Sequence, residues 1–95
     1  MANATLRARL ENQASAVEQA IRACDDGIAD LLRALSAQLE LTASSLEGLS
    51  QAHRHEAGTL AQRMTVAASI HEDGFEADLA AQVVALKRWL AEVSR

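Results

Sequence analysis

The chain of 95 residues is 49% hydrophobic but only 2% aromatic, with no proline or tyrosine and a single cysteine, Cys24. These features exclude an intrachain disulfide framework and a cysteine-rich zinc module, and they disfavour β-sandwiches and barrels, which draw on β-branched and aromatic residues. Nine basic against thirteen acidic residues give a formal charge of −4, which argues against a binder of phosphate backbones, while the apolar content argues against disorder.

Ala, Leu, Glu, Gln and Arg dominate, and all are strong helix formers. An all-α fold follows. In the first half, Leu6, Leu10, Val17, Ile21, Cys24, Ile28, Leu31, Leu32, Leu35, Leu39, Leu46 and Leu49 recur mostly at steps of three and four. That is helical periodicity rather than alternation. An eleven-residue register underlies it: Leu6, Val17, Ile28 and Leu39 form one series, Leu10, Ile21 and Leu32 a second, and Cys24, Leu35 and Leu46 a third. Such a repeat averages about 3.67 residues per turn, so the stripe runs nearly straight.

The centre is the best place for a turn. Thr42, Ser44, Ser45 and Ser50 compete with the backbone for hydrogen bonds. Ser44 followed by Glu47 fits a capping box. A break near 43–50 leaves two arms of roughly 60 Å at helical rise. In the second arm the seam is Leu60, Met64, Ala67, Ile70, Phe75, Leu79, Val83, Leu86, Leu90 and Val93, and Met64, Phe75 and Leu86 keep the eleven-residue step. A second candidate break lies near 71–74, where Asp73-Gly74 interrupts the pattern and Asp73 with Glu76 fits a capping box. The expected architecture is a single helical domain over 1–95. It is a hairpin of two long antiparallel amphipathic helices that pairs into a helical bundle. A three-helix bundle is the alternative, and a continuous dimerising rod a third arrangement.

Few residues suggest chemistry. His53 and His55 are two apart, which places them on different sides of a helix, so they cannot chelate one ion together there. With His71, Glu72 and Asp73 they could supply ligands only if the arms converged, and a solvated turn is the simpler reading. Cys24 falls on the apolar stripe and reads as a small core residue, and Asp25 and Asp26 beside it disfavour a thiolate. Asp25, Asp26 and Asp30 form one acidic group, and Glu72, Asp73, Glu76 and Asp78 another. Each reads as a solvated face or a contact for a basic partner. Phe75 reads as core. Trp89 reads as a core residue at the end of the bundle or, beside Lys87 and Arg88, as an interface anchor. No phosphate loop, zinc-protease motif or nucleophile–base pair is present. No catalytic, cofactor or metal site is expected, and the chain does not read as an enzyme.

The seam itself is the expected working surface. Leu6, Leu10, Val17, Ile21, Ile28, Leu35, Leu79, Leu86, Trp89 and Leu90 would bury against another helical protein or a second copy. No nucleic acid and no membrane insertion are expected, since no run of about 18 apolar residues occurs. No apolar stretch follows Arg7 and Arg9, so no cleaved secretory signal is expected either.

The small size, the two helical arms and the small-residue seam resemble the WXG family of type VII secretion. Where that family has Trp-x-Gly at its turn, this centre reads Ser45-Leu46-Glu47-Gly48. Where it has a C-terminal Tyr-x-x-x-Asp/Glu signal, the nearest stretch is Phe75-Glu76-Ala77-Asp78-Leu79. The resemblance implies a helical hairpin that dimerises into a four-helix bundle and serves as an exported effector or as its partner. Small acidic chaperones of type III secretion are similar in size and composition. The implied compartment is the cytoplasm, or the exterior after export without a cleaved signal.

Overall fold

The computed structural model describes residues 3–94. They form four helices: α1 (Asn3–Arg22), α2 (Ile28–Ser45), α3 (Gln51–Glu72) and α4 (Leu79–Val93). Helix α1 packs on α2, α2 on α3, α3 on α4, and α4 closes back on α1. Among the described residues neither diagonal pair makes contact, so the helices run up-down-up-down around a ring. The bundle measures 40 × 21 × 18 Å, one helix long and two helices across.

The all-helical bundle matches the expected fold class, but the helix count is four rather than two or three. The extra break falls at residues 23–27, inside the expected first arm. Cys24 adopts φ 53°, the left-handed region. Its amide donates to the Ile21 carbonyl at 3.2 Å, and the Asp25 amide donates to the Ala20 carbonyl at 3.0 Å. This paired pattern ends a helix by satisfying its last carbonyls, and it normally places glycine at the left-handed position. The Asp25 carboxylate then accepts from the Gly27 amide at 2.7 Å, and α2 begins at the next residue.

The other two breaks have different chemistry. Between α2 and α3, Gly48 takes φ 74° and the Ser50 hydroxyl accepts from the His53 amide at 3.1 Å. Ser44 is therefore not a cap: its hydroxyl donates back to the Glu40 carbonyl within α2. Arg54 reaches from α3 to the orphan carbonyls of α2, donating to Ala43 at 2.9 Å and Leu46 at 3.1 Å. Asn3 clasps the same loop with both ends of its amide, bonding the Glu47 carbonyl at 3.0 Å and its amide at 3.1 Å. Between α3 and α4, Gly74 at φ 87° repeats the pattern seen at Cys24. Gly74 bonds back to His71 and Phe75 to Ile70. Asp73 thus ends α3 rather than capping the next helix, and Asp78 caps α4 by accepting from the Ala81 amide at 3.0 Å.

The core is aliphatic and small. Leu10, Leu32, Leu35, Leu39, Met64, Val83 and Leu86 are fully enclosed, with Trp89 the one aromatic among them. Ala57, Ala61 and Ala68 on α3 are buried as well, and their lack of bulk brings α2 and α3 close. Ser36 on α2 exploits that approach by donating to the Ala61 carbonyl at 2.7 Å. Buried side-chain polar atoms without a partner are absent among the described residues.

Two outcomes are expected on stability. Cys24→Gly relieves a left-handed cost of about 1–2 kcal/mol against an added chain entropy of about 0.5–1 kcal/mol, so it raises stability by roughly 0.5 kcal/mol. A denaturant midpoint at or below the wild type would contradict this account of the turn. Leu35→Ala leaves a cavity in a closed core and costs about 2–5 kcal/mol, seen as a large fall in the same midpoint.

Candidate interaction surface

The structure places most of the expected interface residues inside the chain. Leu6, Leu10, Val17, Ile28, Leu35, Leu79, Leu86, Trp89 and Leu90 are buried, and Ile21 is half-buried at the edge of the same core. The seam is covered by the other helices of the same chain, because the break at 23–27 folds the first arm onto itself. Trp89 fills the core, and its indole N–H donates to the His53 carbonyl at 2.9 Å. It is not an exposed anchor.

The residues left outside are different. Cys24 is a free, exposed thiol, not a core one. Phe75 is 70% exposed, Val66 52% and Ile70 37%. Phe75 leaves the core for a local reason. Gly74 reverses the chain after α3, and the residue following such a reversal points back toward the last helical turn. Here that turn carries Ile70.

These side chains line two neighbouring depressions that share Ala77. Val66, Ala67, Ile70 and Ala77 line a groove along α3 and the start of α4, with Gln62, Asp78 and Gln82 on its sides and Arg63 where it meets the next groove along α3. At the bundle's end Ala77 also lines a cleft between the 23–27 turn and the 73–78 segment. The apolar members of that cleft are Ile21, Cys24, Ile28, Phe75, Ala77 and Leu79, and its polar members are Asp25, Asp26, His71 and Glu76.

The bundle topology brings the two acidic groups of the sequence to this one end. Asp25, Asp26 and Asp30 come from the first turn, and Glu72, Asp73, Glu76 and Asp78 from the third. Arg33 bridges them, donating to Glu72 at 2.8 and 3.1 Å and to Asp30 at 3.4 Å. The hydrogen bonds from Arg33, and then its charge, hold the Glu72 carboxyl below the usual carboxylate value. The same bond raises Arg33 above its ordinary value. Among the described residues Asp25, Asp26, Asp73, Glu76 and Asp78 form no ion pair.

The opposite end has another character. Ala52, His55, Glu56, Arg63, Arg88 and Glu92 line a groove in which cations and carboxylates interleave. His53 lies in the first turn of α3, not in a loop, and approaches Glu92 at 3.8 Å. His71 is at the far end of the same helix, so the three histidines do not converge. Among the described residues there is no group of His, Cys, Asp and Glu side chains able to hold a metal ion. No described helix is long and apolar enough to cross a membrane.

Comparison of the chain with protein-family models, with curated proteins and with solved structures finds no significant match.

One pH dependence follows from the Arg33 contacts. The folded value of Glu72 lies below its unfolded value, so the pair's stabilisation is complete above the ordinary carboxylate value and is lost as pH falls through the folded one. Glu72→Gln therefore lowers the melting temperature slightly at about pH 7, and the difference from wild type closes toward about pH 3. A difference that stays constant across that range would refute the assignment.

Proposed function

We propose that this chain is a non-enzymatic helical protein–protein interaction module. In this reading the closed bundle is the scaffold, and the working surface is the groove and cleft around Val66, Ile70, Phe75 and Ala77. The observation that carries the reading is the exposure of Phe75. In a chain with two aromatic residues, one is left 70% exposed in a concave apolar setting. Burying a phenylalanine is worth about 1.5–3 kcal/mol, and a domain of this size has little stability to forgo. An exposed aromatic at the rim of an apolar depression suits a contact with another protein.

The partner is another helical protein or a second copy of the chain. It docks on a finished bundle instead of supplying half of one. For the setting we propose the role the WXG and secretion-chaperone resemblances imply, a small partner or effector of a secretion system. The proposed compartment is the cytoplasm, with signal-less export as the alternative.

A photo-crosslinking residue placed at position 75 tests this in the native host. Specific adducts are expected from position 75 and not from Val84, which is exposed on α4 away from the groove. Equal labelling at both positions, or none at 75, would overturn the reading. Phe75→Ser is expected to abolish the corresponding complex while shifting stability by no more than about 0.5 kcal/mol, so that loss of partner and loss of fold are separable.

A further inference from the structure

We infer that the cleft at the turn end of the bundle receives a basic, apolar peptide segment of a partner protein, in which an apolar side chain is flanked on both sides by Lys or Arg. This rests on the interaction reading above and specifies the chemistry of the occupant. The cleft has an apolar interior, with Ile28 and Leu79 at its buried base and Ile21, Phe75 and Ala77 nearer the opening. One wall is the 23–27 turn and carries Asp25 and Asp26. The other is the 73–78 segment and carries Glu76. A side chain entering between the walls therefore meets apolar atoms first and carboxylates on either flank.

The local charge selects the sign of the partner. Arg33 joins α2 to α3 beside the cleft, its guanidinium already engaged by Glu72 and Asp30, and His71 is the basic side chain among the described residues that lines the cleft itself. Arg22 is held by Glu18 on its own helix at 3.3 Å. Asp26, Asp73 and Glu76 have no cationic partner among the described residues, and no hydrogen bond to their side chains is present either. Such a field repels phosphate backbones and anionic lipid surfaces and attracts Lys and Arg. A second copy of the chain is a poorer match, because its cations at the other end interleave with Glu11, Glu56 and Glu92.

The chemistry needed of the occupant is simple. The apolar side chain displaces water from the cleft and contacts Phe75, while flanking cations lie over Asp25, Asp26 and Glu76. Long Lys and Arg stems can cover the apolar rim while their heads pair with the carboxylates.

The test uses the full chain and a synthetic peptide of about twelve residues with a central Leu-Phe pair between Lys residues. Controls replace the lysines by glutamates or the central pair by serines. Backbone amide shifts locate the contact, and calorimetry gives affinities at about 50 mM and about 500 mM salt. Shifts are expected around residues 21–28 and 71–79. Affinity is expected to fall about tenfold in Phe75→Ser and in the double variant D26N/E76Q, to fall at high salt, and to stay unchanged in Val84→Ser. Equal binding of the glutamate peptide would overturn the basic-partner inference while leaving the interaction surface standing. So would concentration-dependent self-association that Phe75→Ser abolishes, since the occupant would then be a second copy. Absence of shifts at the cleft, with position 75 still crosslinking in the host, would overturn this inference alone. Silence in both experiments would remove the surface as well.

Discussion

A five-residue turn determines whether this chain can be self-sufficient. Without the reversal at Cys24 and Asp25, α1 and α2 would form one rod whose long apolar stripe only a second arm of α3 and α4, or another copy, could face. A helix of that kind must recruit a second rod, because helical stability comes chiefly from tertiary burial of the apolar face. With the reversal, the α1 face carrying Leu6, Leu10 and Val17 packs on the α2 that carries Leu32, Leu35 and Leu39, and all six are buried. The left-handed backbone at Cys24 is the local cost of that arrangement. It is offset by the two backbone bonds to Ala20 and Ile21 and by the Asp25 carboxylate on the Gly27 amide.

Closing the ring with so little bulk imposes a second constraint. Alanines on α3 cannot fill space, so the helices must approach until backbones almost touch. The Ser36 hydroxyl on the Ala61 carbonyl marks the point where they do. Trp89, the one large aromatic in the core, lies near the terminal end, and its N–H finds the His53 carbonyl there. Asn3 and Arg54 lock the same end through backbone groups of the α2–α3 loop. Among the described residues the turn end has no comparable polar clasp. It is held by the Arg33 bridge, whose carboxylates are solvent-exposed, so that it contributes little to stability.

Helix type and much of the core are legible in the sequence because burial in a bundle imposes the spacing of three and four directly. The central turn is legible as a run of Ser and Thr that competes with the backbone, although its cap is Ser50 and not Ser44, which bonds back inside α2. The 23–27 break is hidden for a specific reason. Ile28 stands eleven residues after Val17, so α2 re-enters in the phase the first arm would have had, and the apolar register runs through the turn unbroken. A glycine usually announces the left-handed position, and here a cysteine occupies it. Phe75 is misplaced by the same logic, since it keeps step with Met64 and Leu86. What the register cannot encode is the reversal at Gly74, which lifts Phe75 out of the core although its sequence position is that of a buried residue. Trp89 is the converse case: chemistry alone leaves core and surface open, and the four-helix closure puts it inside.

The exposed cleft is a consequence of the same two reversals. Each ends its helix by turning the backbone sharply, which leaves Ile21 half-covered and Phe75 exposed above the buried Ile28 and Leu79. Loops so short have few side chains to cover them, and three of those they do carry at the opening, Asp25, Asp26 and Glu76, are acidic. Asp78 must be there to begin α4, and Asp25 must be there to form the first turn. Part of the acidic character of this end is thus imposed by the fold. Asp26 and Glu76, on opposite walls, are not required by any cap or pair among the described residues, and they intensify a field the bundle would be more stable without, since like charges repel across the cleft. Their presence beside an uncovered phenylalanine is the feature that folding alone does not explain, and a cationic, apolar occupant would relieve both the repulsion and the exposure at once.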